Sequence, residues 1–223
     1  INSKIGAQAN GKPAVMGFSM GGWYTLNLVA TSDPDAYSCA LSINPPLDLN
    51  TGLRALDRLF RAPAGDKNPD SIKESALAKL LTIQVQGSSP EKGSDLPFSD
   101  QEASYLIGLS YRFTLTQTIM SSLEIARSSK THEKVGGLSW EDYYGKIVAP
   151  ALAKRNIDAN AMSQASNLRT REAGLTAAKD LKLVLTGNDF LLTKEDLAWF
   201  RERFSGERTI FMETGGHMGQ LWK

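Results

Sequence analysis

Residues 17–22 have the sequence Gly-Phe-Ser-Met-Gly-Gly and contain the pattern Gly-x-Ser-x-Gly. Between a strand and a helix, this pattern forms a sharp turn that holds the serine in a strained conformation with its hydroxyl exposed. Ser19 is therefore a candidate nucleophile. We expect Gly17 and Gly21 to give the turn its room, because side chains there would collide with neighbouring backbone. The backbone N–H of Met20 is the candidate donor to a developing oxyanion.

A serine hydroxyl is a weak nucleophile at neutral pH and needs a general base. The chain has two histidines, His132 and His217. His217 lies in a Gly-Gly-His-Met-Gly segment late in the chain, where flanking glycines would let the ring swing over the edge of a sheet. His132 lies in a polar segment, Lys130–Glu133, that is typical of solvent-exposed structure. We therefore predict that His217 is the base.

The base in turn needs a carboxylate that orients its ring. Asp189 follows an apolar segment near the end of the chain, which would place it at the same sheet edge as Ser19 and His217. Asp48 is the alternative acid, because it follows the first apolar segment after the nucleophile. Glu213 is too close to His217 in sequence to be the preferred candidate.

Strands and helices alternate in the sequence around these candidate residues. The order strand, helix, strand predicts parallel strands in an α/β fold. Short apolar runs predict the strands, and periodic runs with capping signals predict the helices. The predicted strands are Pro13–Gly17, Tyr37–Ile43, Leu181–Thr186 and Arg208–Glu213, and the helices beside them are Gly21–Ala30 and Thr193–Phe204.

The middle of the chain predicts few strands and several helices, among them Leu123–Ser129 and Trp140–Lys154, the latter with Ser139 as its cap. We therefore expect three segments: a core of strands and helices in 1–50 that carries the turn at Ser19, a helical insertion in 51–175, and the same core again in 176–223. The insertion has a cluster of apolar and aromatic residues that forms its own core or, alternatively, lines an acyl or aryl pocket. These residues are Phe98, Tyr105, Leu106, Tyr111, Phe113, Leu115, Ile119 and Met120.

The turn at Ser19 and the chain order Ser19, Asp189, His217 resemble the carboxyl-terminal half of an α/β-hydrolase, from the nucleophile strand onward. The match covers about residues 12–50 and 176–223, with the insertion where that family carries a lid. The resemblance implies an α/β-hydrolase fold that lacks its first strands in this chain. It also implies a second oxyanion donor from a loop after an earlier strand, and no such motif, for example His-Gly-Gly-Gly, precedes Ser19.

The first predicted strand would then be an apolar sheet edge with unpaired backbone groups, which should be covered. We expect another polypeptide, or a further amino-terminal segment of this protein, to supply the missing half of the fold. Finding Val15 solvent-exposed on a free edge would rule this out.

Composition limits the other partners. There are 25 Lys and Arg residues against 24 Asp and Glu, with no basic cluster, so we do not expect nucleic acid to bind. No apolar run of the sequence is long enough to cross a membrane. One cysteine and two histidines cannot build a thiolate or multi-histidine zinc site, and the chemistry implies no cofactor.

These residues predict a serine hydrolase that cleaves a carboxylic ester through an acyl-enzyme, similar to a carboxylesterase or lipase. The predicted substrate is a small-molecule ester or other acyl compound. Two alternatives stay open: a thioesterase or peptidase on the same fold, and a non-catalytic binding module that retains the scaffold.

Overall fold

The computed structural model describes residues 11–63, 69–86, 98–122 and 129–219. The chain forms two compact units, one made of residues 1–53 and 152–223 and the other of residues 54–151. The predicted insertion, 51–175, is therefore longer than the second unit. Residues 152–175 belong to the first unit, because Leu168 and Leu175 are fully buried in its core.

The first unit contains a parallel sheet of four strands, which follow one another across the sheet in chain order. The predicted α/β class and parallel sheet are thus confirmed. Since all four strands are parallel, their carboxyl ends lie along the same edge of the sheet, where the candidate residues follow them. The strands are β1 (Ala14–Phe18), β2 (Cys39–Ile43), β3 (Leu181–Thr186) and β4 (Thr209–Met212).

Helices account for the other regular structure in the described residues. They are α1 (Met20–Thr31), α2 (Leu49–Arg61), α3 (Pro69–Gln86), α4 (Asp100–Ser122), α5 (Ser129–Gly136), α6 (Trp140–Tyr143), α7 (Ala149–Ala153), α8 (Ala159–Ala165), α9 (Glu172–Ala177) and α10 (Lys194–Arg203). A π-helical turn joins α6 to α7, and short 3₁₀ turns precede α9 and β4.

The core of the sheet unit combines apolar residues of the strands with those of α1, α9 and α10. Leu26 of α1, Leu183 of β3 and Phe200 of α10 are completely buried within it. Each such side chain contributes about 1.5–3 kcal/mol through its removal from water. Helix α10 begins with a capping box, in which Thr193 Oγ1 accepts from the N–H of Asp196 and the Asp196 carboxylate accepts from the N–H of Thr193.

Strand β1 pairs only with β2 and is an edge of the described sheet. Val15 is partly buried against the core, whereas Met16 is 60% exposed on the opposite face. Val15 is thus not the fully exposed residue that would rule out a covering segment. The expectation that other polypeptide covers this edge stays a prediction.

The described part of the second unit is helical. Ser139 caps α6 as predicted and forms a capping box with Asp142. Ile119 and Met120 are buried in a small cluster with Val135, as expected of residues that form the insertion's own core, while Phe113 is 60% exposed. Most of the predicted helix Leu123–Ser129 lies outside the described residues. Within the described ranges, no helix combines the length and apolar character needed to span a membrane.

Candidate active site at the carboxyl edge of the sheet

The turn between β1 and α1 holds Ser19 in a conformation that residues other than glycine rarely adopt, with φ of 53° and ψ of −121°. Such a backbone costs about 1–3 kcal/mol and persists only where its surroundings enforce it. Here the Ser19 N–H donates to the carbonyl of Ile43 at 2.9 Å, and the Ser19 carbonyl accepts from the N–H of Trp23 at 3.0 Å. The Ser19 hydroxyl makes no capping bond to α1.

Glycine is needed at two positions around this turn, and one of them differs from the prediction. A Cβ at Gly17 would lie 2.1 Å from the carbonyl oxygen of Gly21, and one at Gly22 would lie 2.9 Å from Ser42 Oγ and 3.1 Å from the Ile43 carbonyl oxygen. A Cβ at Gly21 would meet nothing within 4 Å. The expectation that a side chain at Gly21 would collide is therefore wrong, because the close approach of α1 to β2 falls at Gly22.

The structure brings His217 to Ser19 across 198 positions of sequence. The His217 Nε2 atom lies 2.8 Å from Ser19 Oγ, which is hydrogen-bonding distance. The imidazole is mostly buried, with 14% of the side chain exposed. His217 is thus placed where it can accept the proton of the Ser19 hydroxyl.

Asp189 lies on the other side of the same imidazole. The His217 Nδ1 atom is 2.9 Å from Asp189 Oδ2 and 3.1 Å from Oδ1, and the Asp189 side chain has no exposed surface. A donor at Nδ1 leaves Nε2 as the acceptor toward Ser19, because neutral imidazole carries one N–H. The carboxylate therefore favours the tautomer in which His217 can act as a base.

The loop that carries His217 depends on left-handed backbone on both sides of the histidine. Gly215 and Gly216 have φ values of 135° and 61°, and Met218 has a φ of 64°. The N–H of Gly216 donates to Asn188 Oδ1 at 2.7 Å, which ties this loop to the residue before Asp189. The Phe190 ring lies 5.1 Å from the imidazole between centroids and packs against it at 52°. These contacts fix the ring between Ser19 and Asp189.

Asp48, the alternative acid, has other partners. Its Oδ1 accepts from the N–H of Asn50 at 3.0 Å and from Ser166 Oγ at 3.1 Å, and its Oδ2 accepts from Thr51 Oγ1 at 3.1 Å. These bonds stabilise the start of α2 in the manner of an N-terminal cap. Asp48 is thus not the acid that contacts His217.

Met20 is the first residue of α1, directly after Ser19. The first N–H groups of a helix have no acceptor within the helix, and the helix dipole adds positive potential at that end. The Met20 N–H therefore belongs to a region that favours a developing negative charge beside Ser19. Its side chain is 57% exposed.

Asn44 is a member of this constellation that the sequence patterns did not indicate. It follows β2 and is completely buried, and its Nδ2 atom lies 2.9 Å from Asp189 Oδ2. The available signal was its place at the end of a buried strand, next to Ser19 in the sheet order. The prolines that follow, Pro45 and Pro46, indicate only that the strand ends there.

The described residues contain no group of three or more histidine, cysteine, aspartate or glutamate side chains that could hold a metal ion. The only cysteine, Cys39, is exposed and unpaired.

Comparison with protein-family models, curated proteins and solved structures finds no match to this chain. The functional assignment therefore depends on the geometry of the site.

Proposed function

We propose that this protein is a serine hydrolase of α/β-hydrolase fold that cleaves carboxylic esters through an acyl-enzyme on Ser19. The observation that carries the proposal is the continuous hydrogen-bonded path through His217, at 2.8 Å to Ser19 Oγ and 2.9 Å to Asp189 Oδ2. The strained backbone of Ser19 and the parallel strands that end at this site support the same assignment.

In the acylation step, Ser19 Oγ attacks the ester carbonyl carbon and its proton passes to His217 Nε2. A tetrahedral intermediate forms, with the former carbonyl oxygen carrying the negative charge. When the bond to the alcohol oxygen breaks, the protonated imidazole gives its proton to the leaving alkoxide. Asp189 stays ionised and stabilises the imidazolium, because its carboxylate accepts from Nδ1.

In the deacylation step, His217 removes a proton from water, which attacks the acyl carbon on Ser19. The second tetrahedral intermediate then releases the carboxylic acid, and Ser19 Oγ recovers the proton from Nε2. Both steps develop an oxyanion beside the start of α1. The Met20 N–H is the donor that we assign to it, and removal of one such donor typically costs about 10²–10³ in kcat.

Residues 54–151, whose described part is helical, lie between β2 and β3 in the chain, where α/β-hydrolases carry a lid. We assign them that role as part of the same proposal. It predicts that their deletion changes the preference for acyl chain length more than the reactivity of Ser19 toward a small probe.

A fluorophosphonate probe tests the proposal, because it modifies activated serines whatever their natural acyl substrate. We expect stoichiometric labelling of the protein, its loss in Ser19→Ala and its persistence in Ser38→Ala, which changes an exposed serine. Absence of labelling in a folded sample, or equal labelling of Ser19→Ala, would contradict the proposal and favour a binding module. If Ser19 is labelled, matched ester, thioester and amide substrates then separate an esterase from a thioesterase or peptidase.

A further inference from the structure

Asn44 occupies a position that few residues tolerate. It directly follows β2, its φ is 46°, and its side chain has no exposed surface. Its N–H donates to the carbonyl of Val184 at 2.8 Å, which continues the hydrogen bonding between β2 and β3 by one residue. Asparagine is one of the few residues other than glycine that adopts this backbone readily.

The Asn44 amide group contacts the carboxylate that orients His217. Its Nδ2 lies 2.9 Å from Asp189 Oδ2 and 3.1 Å from Thr186 Oγ1. An ionised carboxylate only accepts hydrogen bonds, so the amide must present its NH₂ group, and not its oxygen, to Asp189. The orientation of the Asn44 amide thus follows from the chemistry of its neighbour.

Asp189 depends on these bonds because its side chain is entirely buried. The N–H of Leu191 donates to Oδ1 at 2.9 Å, and the Asn44 amide donates to Oδ2. The His217 Nδ1 atom faces both oxygens. A buried carboxylate without such donors would be destabilised in its ionised form and free to turn away from the imidazole.

We propose that Asn44 is a positioning residue of this active site, which acts on His217 through Asp189. It holds the plane of the carboxylate toward Nδ1 and supplies a donor that adds no charge. The inference rests on the proposed function, because it assigns Asn44 a part in the reactivity of Ser19.

The identity of the side chain matters for two separate reasons. Aspartate would keep the size and the backbone tolerance of residue 44 but would bring a second carboxylate to within hydrogen-bonding distance of Asp189. Two carboxylates at that distance share a proton and titrate as a pair. Glycine would keep the left-handed backbone and remove the amide, with its bonds to Asp189 and Thr186, without adding a charge. The two substitutions therefore separate the loss of the hydrogen bond from the addition of a charge.

The test compares kcat, KM and the pH profile of wild type, Asn44→Asp and Asn44→Gly with a p-nitrophenyl ester that the wild type hydrolyses. We expect kcat to fall by about 10- to 100-fold in both variants, as for a lost hydrogen bond to a charged group. KM should stay within about twofold, because Asn44 acts through Asp189 and not on the substrate. Only Asn44→Asp should add an ionisation to the pH profile.

The matched control is Asn50→Asp, which introduces a carboxylate at another buried amide whose Nδ2 donates to Ser163 Oγ and Ser166 Oγ. We expect it to leave the pH profile unchanged. Equal kcat loss and the same profile change in Asn50→Asp would overturn the inference, as would wild-type kcat in the folded Asn44→Gly variant. Both results leave the labelling of wild-type Ser19 intact, whereas absence of that labelling contradicts the proposed function and this inference with it.

Discussion

The two glycines of the Gly-x-Ser-x-Gly pattern should respond in opposite ways to the same substitution. A Cβ added to Gly17 would lie 2.1 Å from the carbonyl oxygen of Gly21, 2.3 Å from the carbonyl carbon and 2.6 Å from Thr25 Oγ1. A Cβ added to Gly21 would meet nothing within 4 Å. We therefore predict that Gly17→Ala damages the site and that Gly21→Ala does not.

The size of the effect follows from how far the backbone would have to move. Ordinary contact with a Cβ begins at 3.4 Å, so the first turn of α1 would have to retreat from Gly17 by more than 1 Å. Overpacking of this kind costs about 1–3 kcal/mol of stability. A displacement of about 1 Å at a reacting group costs about 10²-fold in rate, and Ser19 lies within this moving segment. Gly21→Ala should instead leave α1 at least as stable as in the wild type, because the added Cβ meets nothing and alanine loses less conformational freedom on folding.

Two measurements on both variants check this prediction. Urea unfolding gives the free energy of unfolding, and the second-order rate of fluorophosphonate labelling gives the reactivity of Ser19. We expect Gly17→Ala to lose about 100-fold in labelling rate and Gly21→Ala to label at the wild-type rate. Wild-type labelling of Gly17→Ala, or an equal loss in both variants, would refute the argument that contact at Gly17 sets the position of Ser19.

Three further predictions concern the acid, the pH dependence and the packing of the sheet unit. Asp189→Asn should lower kcat by about 10⁴-fold, whereas Asp48→Ala should leave kcat unchanged and cost about 1 kcal/mol in urea unfolding, as a lost helix cap. Lys79 and Ser75 hold the pKa of Glu102 at about 2, below its ordinary 4.5, so its contribution to stability is present above pH 4.5 and lost as the pH falls toward 2. Between pH 2 and 4.5, the free energy of unfolding of Glu102→Gln should depend less on pH than that of the wild type. Equal pH dependence of the two proteins would contradict the lowered pKa of Glu102. Gly174→Ala should cost about 1–3 kcal/mol in urea unfolding, because its Cβ would lie 2.2 Å from the carbonyl oxygen of Ala30, and a change below about 0.5 kcal/mol would contradict it.

The strands were predictable because each is a short apolar run bounded by turn residues. The predicted strand Leu181–Thr186 has the observed bounds, and the other three differ by one or two residues at their ends. The boundary between the two units was harder to predict from the sequence. Residues 152–175 are helical like the insertion, and only their packing assigns them to the sheet unit, through buried residues such as Leu168.

The contacts among Ser19, Asp189 and His217 were predictable because all three follow strands or the loops after them. Parallel strands bring such residues to one edge of a sheet, so their positions predicted Ser19 and His217 together with Asp189 or Asp48. Only the structure shows that Asp189 is the carboxylate in contact with His217. The role of Gly21 was not predictable in the same way. Which glycine meets neighbouring backbone depends on the exact approach of α1 to β2, and the structure places that contact at Gly22.

A shared backbone feature explains why the edge of this sheet can hold a precise site. The residue after each of three strands donates its N–H to the neighbouring strand: Ser19 to Ile43, Asn44 to Val184, and Gly187 to Met212, at 2.8–2.9 Å.

Each strand is thus hydrogen-bonded to its neighbour for one residue beyond its end. Ser19 and Asn44 then have positive φ, which differs from strand backbone. Their side chains therefore do not follow the alternation between the two faces of the sheet that strand side chains show. Hydrogen bonds that belong to the sheet itself oppose the strain at these two residues, because a buried N–H left unpaired would cost a comparable free energy. The hydrogen bonds of the sheet therefore constrain Ser19 directly and, through Asn44 and Asp189, constrain the His217 imidazole that contacts it.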